Sequence, residues 1–229
     1  MAPFCLLFDL DGTLIDSDPV HFAAFNEVLS EHGRSIDLET YRMKIMGAAN
    51  PTIAAALFPD KTEEEGLAIV DRKEALFRER VSELEPTPGI DALIEWSDRE
   101  GVLRAIVTNA PRANAEQMLE GSGLKRHFST IVIGVELERG KPDPLPYETG
   151  LKLLGGSASH AMAFEDSLSG VKSASAAGLT TVGLRTSLED EHLTGAGADL
   201  VVSDFRDPQL LSRLEERLAA ARGNTGVSA

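Results

Sequence analysis

Phe4-Cys5-Leu6-Leu7-Phe8-Asp9-Leu10-Asp11-Gly12-Thr13-Leu14 is the stretch that decides the fold. Its unbroken apolar run, Phe4 to Phe8, has the length and character of a strand covered on both faces, which places it centrally in a parallel sheet. Two acids follow, two residues apart. Side chains alternate along a strand, so Asp9 and Asp11 leave the sheet on one side, with Leu10 turned aside and Gly12 permitting a sharp turn. The carboxyl end of such a strand is where open α/β sheets build their sites. The competing reading of one carboxylate as a turn cap and the other as solvated loses ground to three segments downstream.

After Asp11 the pattern becomes helical. Asp18 is read as an N-cap with Pro19 at the first helical position, and Phe22, Phe25 and Leu29 recur at helical spacing up to Gly33. Thr62 and Glu65 form a capping box ahead of Leu67, Val70, Phe77, Val81 and Leu84. Between these helices, Met43 to Phe58 is apolar and alanine-rich, and Pro86-Thr87-Pro88-Gly89 closes the span as a linker.

From Ile90 onward strands and helices alternate. Strands are expected at 102–107, 131–134, 161–164, 181–184 and 200–202, and helices at 111–119, 145–154, 168–177 and 208–221. That alternation implies a parallel sheet. The first strand joins it across the helical span. The fold expected is therefore an α/β, Rossmann-like three-layer core of residues 1–15 and 89–229, with an inserted helical cap domain of residues 16–88. Gly223 to Ala229 reads as a frayed end.

The 229 residues carry 37 acids against 22 bases, a net charge of −15. Nucleic-acid binding rests on clustered Lys and Arg, so this balance argues against such a partner. No stretch approaches a membrane span, and no basic leader precedes the first strand. The lone cysteine, Cys5, lies inside the apolar run and reads as core filler. The expectation is a cytoplasmic protein, monomer or homodimer.

Each core strand ends in a polar cluster. Thr108-Asn109 precedes Pro111 and a helix start, where a hydroxyl and backbone N–H groups would face an anion. Gly140-Lys141-Pro142-Asp143-Pro144 holds a lysine in a loop stiffened by prolines. Glu165-Asp166-Ser167 ends the fourth strand, with Ser167 or Asp166 as the helix cap if the cluster is only structural. Taken in order, Asp9-x-Asp11-Gly-Thr, Thr108, Lys141 and Glu165-Asp166 resemble the four-part pattern of the haloacid dehalogenase-like superfamily, over nearly the whole chain.

That resemblance implies a Mg²⁺-dependent phosphatase of small phosphorylated metabolites working through an aspartyl phosphate. On it, Asp9 is the nucleophile and Asp11 the general acid/base. Thr108, Asn109 and Lys141 bind the phosphoryl group, and Asp9, Asp166 and the backbone carbonyl of Asp11 hold the metal. Glu165 is open between ligand and support. His21 matches a histidine of the β-phosphoglucomutase and sugar-phosphatase branch, a resemblance that implies a substrate-binding role; from the residues alone it is equally an exposed helix histidine. The segment Met46 to Asn50 lacks the cations expected to hold a second phosphate, so sugar-phosphate hydrolysis is favoured over the alternatives, β-phosphoglucomutase and phosphoglycolate phosphatase. A ligand-binding module on the same fold is the non-enzymatic alternative, disfavoured by the intact acids.

Overall fold

The structure is a computed structural model that describes residues 2–81 and 84–223. Strands β1 (Cys5–Phe8), β2 (Leu103–Thr108), β3 (Thr130–Ile133), β4 (Ala161–Glu165), β5 (Thr180–Leu184) and β6 (Leu200–Val202) form one sheet in the order β3-β2-β1-β4-β5-β6. All neighbours are parallel. β1 is central, as its apolar run implies. Phe8 pairs with Ile106 on one side and Phe164 on the other. The chain winds outward from β1 in both directions, which leaves the crevice of the sheet at the carboxyl end of β1.

The alternation of β1 sorts the core into two layers. Leu6 and Phe8 pack with residues of α5 (Ile90–Glu100), α6 (Arg112–Gly121) and α10 (Pro208–Gly223). Cys5 and Leu7 pack against α7 (Leu145–Leu154) and α8 (Leu168–Ala176). Burial pushes the Cys5 thiol up to about 11, in keeping with a core filler.

Between β1 and α5 the chain forms α1 (Asp18–Glu31), α2 (Leu38–Thr40), a π-helical turn (Tyr41–Ile45), α3 (Asn50–Leu57) and α4 (Glu63–Arg80). Phe25, Leu29, Tyr41, Ile53, Phe58 and Val70 make a core for these helices that continues into Val171 and Leu193 of the sheet domain, through α8 and α9 (Asp190–Ala196). The capping box at Thr62 and Glu65 is present, acids fill the first turn of α4, and Arg78 and Arg80 stand in its last, which suits the helix dipole. The two connecting segments run side by side: Ile15 bridges Pro86, and Thr87 donates from its N–H to Leu14 O and from its hydroxyl to Thr13 O.

Two expectations change. Ser17, not Asp18, occupies the N-cap position of α1, and its side chain makes no capping bond. Asp18 is drawn inward because Tyr41 Oη and Ser187 Oγ both donate to its carboxylate. Helices α5 and α9 are also additional to the helices expected from the sequence. Residues 224–229 of the expected frayed end lie outside the described residues.

Candidate active site

Every strand that reaches the centre of the sheet delivers a polar residue to one cleft, closed on its far side by α1, α3, α4 and the turn before α3. Asp9, Asp11, Thr108, Asn109, Lys141, Asp166 and His21, all named from the sequence, line this single cavity.

Lys141 is held inside the cleft. Its Nζ lies 2.5 Å from Asp9 Oδ1 and 2.5 Å from Glu165 Oε1. Glu165 is fully buried and also accepts from Tyr147 Oη, at 2.5 Å, and from Ser167 Oγ, at 3.3 Å. Burial holds the Asp9 carboxyl well above the usual range, against the pull of Lys141. Burial also raises Asp166, and nearby Asp18 and Asp9 raise it further.

Asp166 has one oxygen satisfied and one not. Thr13 Oγ1 donates to Oδ1 at 2.7 Å. Oδ2 is buried without a hydrogen-bond partner. Gly12 makes the space in front of it: at φ 72°, a Cβ there would sit 2.2 Å from Asp166 Oδ2. Asp9, Glu165 and Asp166 can each bring an oxygen within 4.8 Å of the others. A buried carboxylate with an orphaned oxygen, beside two other acids, fits a hard divalent cation, which takes oxygen ligands. Glu165 is already committed to Lys141 and Tyr147, so it suits support better than ligation.

Asp9 and Asp11 belong to different neighbourhoods. Asp9 is tied to the core through Lys141. Asp11 Oδ1 instead accepts from Ser17 Oγ at 2.6 Å and lies 2.9 Å from His21 Nε2. These hydrogen bonds hold the Asp11 carboxyl below its ordinary value, although burial pushes the other way. His21 is thus no exposed helix histidine: its ring stacks on Phe77 with centroids 3.7 Å apart.

Thr108 Oγ1 accepts from Ala110 N–H at 3.0 Å, which spends one of the N–H groups expected to face an anion. The Asn109 amide donates to Gly47 O and Lys141 O and accepts from Lys141 N–H. It braces the lysine loop and fastens the turn at Gly47 to the core. Gly47, at φ 71°, sits so close to α8 that a Cβ would lie 2.4 Å from Ser167 Oγ.

Lys73, Glu74, Tyr147 and Asn114 are buried polar residues that the sequence motifs do not single out. One signal was available for the first two. The apolar series Leu67, Val70, Phe77, Val81 on α4 skips a turn, and the inward positions it skips are Lys73 and Glu74. The segment Met46 to Asn50 has no cation, but Lys73 supplies one to the cavity from α4, paired with Glu74 at 3.2 Å.

The haloacid dehalogenase-like hydrolase family matches residues 6–184. A phosphorylated carbohydrates phosphatase of Thermotoga maritima is 30% identical over 220 residues, covering 93% of this chain and 99% of that protein. A phosphoglycolate phosphatase of Mesorhizobium japonicum is 30% identical over 224 residues, covering 96% and 98%. The β-phosphoglucomutase structure from Clostridium difficile superposes with a TM-score of 0.83 at 19% identity, covering 96% of this chain and 99% of that one, a likeness of fold. The chain belongs to the haloacid dehalogenase-like hydrolase family. Within it, the protein is a phosphoric monoester hydrolase.

Proposed function

We propose that the protein is a Mg²⁺-dependent phosphatase of small phosphorylated carbohydrates, acting in the cytoplasm, with residues 16–88 as a cap over a core of 1–15 and 89–229. The observation that carries the reading is the buried Asp9 held by Lys141 beside Asp166 and its unpartnered oxygen. The Thermotoga relative's name supports the substrate class.

Charge complementarity supports a cation. Asp9, Asp11, Asp18, Glu74 and Asp166 face only Lys73 and Lys141 across the cavity, so a phosphate dianion would enter a field already negative. Asp9, Asp166 and the backbone carbonyl of Asp11 would hold Mg²⁺, with Glu165 as a support that keeps Lys141 in place. When bound, the ion supplies positive charge to the phosphoryl oxygens and the carboxylates around them.

The chain's own residues perform the transfer. A carboxylate oxygen of Asp9 attacks phosphorus in line, forming the acyl phosphate as the bond to the leaving oxygen breaks. Asp11, which His21 and Ser17 hold towards its ionised form, must take up a proton as the substrate binds; it gives that proton to the leaving oxygen and then takes one from the water that attacks the phosphoenzyme. Lys141 and Thr108 steady the phosphoryl oxygens, and Asn109 braces the Lys141 loop. Water is the acceptor because the only cation on the cap side of the cavity, among the described residues, is Lys73, already matched by Glu74; a second phosphate would find no free charge there.

The test incubates the protein with β-glucose 1-phosphate and Mg²⁺, with and without the 1,6-bisphosphate, and follows free phosphate and glucose 6-phosphate. Other sugar phosphates and phosphoglycolate are run alongside. Free phosphate is the expected product. Rapid glucose 6-phosphate with little free phosphate would make the enzyme a mutase instead.

A further inference from the structure

A chain of buried donors and acceptors leaves Asp11, crosses the helical insert and returns to the sheet domain. Lys73 Nζ lies 2.7 Å from His21 Nδ1 and 3.2 Å from Glu74 Oε1. Asn114 Nδ2, on α6, donates to Glu74 Oε2 at 2.6 Å, and Arg78 donates to Asn114 Oδ1 at 2.8 Å. Lys73, Glu74 and Asn114 are only 2%, 4% and 1% exposed, so water cannot readily replace any of these partners.

Chemistry orients every link. A guanidinium only donates, so Asn114 presents Oδ1 to Arg78 and Nδ2 to Glu74. An ionised carboxylate only accepts, and Glu74 takes Asn114 on one oxygen and Lys73 on the other. An ammonium has no lone pair, so His21 Nδ1 accepts from Lys73 and the ring proton resides on Nε2, aimed at Asp11 Oδ1. Burial pushes Lys73 towards its neutral form, and the Glu74 carboxylate opposes it. Among the described residues, Asp11 Oδ1 accepts from Ser17 and His21, and Oδ2 accepts no side-chain hydrogen bond.

We infer that Glu74 and Asn114 are positioning residues for Asp11: through Lys73 they hold His21 as the Nε2–H tautomer, which saturates Asp11 Oδ1 and leaves Oδ2 to exchange a proton with the substrate. The inference rests on the reading of Asp11 as the general acid/base. It extends the site to Asn114 of α6, which does not itself line the cavity, and it makes the seating of α4 on α6 a condition for a correctly aimed Asp11.

Glu74→Gln is nearly isosteric, but its amide cannot accept at both ends, so either Lys73 or Asn114 then faces a donor. Long-range ¹H–¹⁵N NMR correlations of the His21 ring, assigned with His21→Asn, should show Nε2–H in the wild type and lose that pattern in Glu74→Gln. For an alkyl phosphate, kcat should fall about tenfold or more with KM within about twofold, the signature of an interaction made in the transition state. With p-nitrophenyl phosphate the loss of phosphoenzyme formation should be smaller, and in an Asp11→Asn background Glu74→Gln should cost that step nothing further. Asn114→Ala should repeat the pattern, which covers the case in which Glu74→Gln fails to fold. An unchanged His21 spectrum, or equal losses on alkyl and aryl phosphates, overturns the inference. If Asp11→Asn hydrolyses alkyl phosphates as fast as the wild type, the acid/base reading itself is wrong, and that outcome is separate from the His21 spectrum.

Discussion

Lys141→Met removes the one cation that, among the described residues, contacts the Asp9 and Glu165 carboxylates, while keeping most of the side-chain volume. The ammonium lies 2.5 Å from each, with side chains 2%, 10% and 0% exposed for Lys141, Asp9 and Glu165. Removing one partner of a buried ion pair costs about 3–5 kcal/mol. Proton uptake sets a ceiling of similar size, since keeping one ordinary carboxyl protonated at pH 7 costs about 4 kcal/mol. The folded variant then binds about one proton more than its unfolded chain, so its stability rises as pH falls, by about 1.4 kcal/mol per unit. Urea unfolding in EDTA should therefore show a loss of about 3–5 kcal/mol at pH 7 that shrinks by about 2 kcal/mol at pH 5.5. A loss under about 1 kcal/mol at pH 7, or one that does not change with pH, would refute the account of Lys141 as the counter-charge of this cluster.

Asp166→Ala is expected to raise the Mg²⁺ concentration needed for activity or abolish turnover, and Ca²⁺ should inhibit the wild type because its coordination is larger and looser; unchanged metal dependence in a Mg²⁺ titration removes Asp166 from the metal set. Gly47→Ala forces a side chain into a left-handed backbone, at about 1–2 kcal/mol, and drives its Cβ against Ser167. The core should stay folded while kcat/KM drops at least about tenfold, and wild-type kcat/KM would mean that the Gly47 turn does not seat on α8 during turnover. The Cys5 thiol, raised from its ordinary 9.0 to about 11, keeps its proton in the native state at pH values where the unfolded chain releases it. Its contribution to stability is complete below pH 9 and declines as pH rises from 9 towards 11. Cys5→Ala should flatten that part of the stability profile, and the native thiol should not react with thiol reagents at pH 8; rapid labelling without unfolding would contradict its burial.

Local pattern alone settles the sheet and the order of the motifs. An apolar run such as Cys5 to Phe8 excludes an edge or half-exposed strand, and alternation of strands and helices after Ile90 leaves few topologies besides a parallel sheet. Strand ends are within about a residue of their expected positions, because the side-chain periodicity that marks them is the same periodicity that packs them. Helices α5 and α9 are additional to the expected set. Residues 90–100 carry a stripe at helical spacing, Ile90, Leu93, Ile94 and Ser97, set among four acids, so α5 was legible in the pattern; Asp190–Ala196 buries a single leucine and presents no stripe before its partner is known.

The acids are legible because they follow strand ends, where a charge has no structural reason to be, and Lys141 because prolines stiffen the loop that holds it. Tertiary structure decides what each charge meets. That His21 turns inward to Asp11, that Asp18 serves Tyr41 and Ser187 in place of a helix cap, and that Asn109 braces two loops all depend on segments far apart in the chain. Lys73 and Glu74 show the limit most plainly. On an isolated α4 they are two charges in a gap of an apolar stripe; only when α4 lies against α1 and α6 does burial strip their water, so that His21 and Asn114 become the partners that satisfy them.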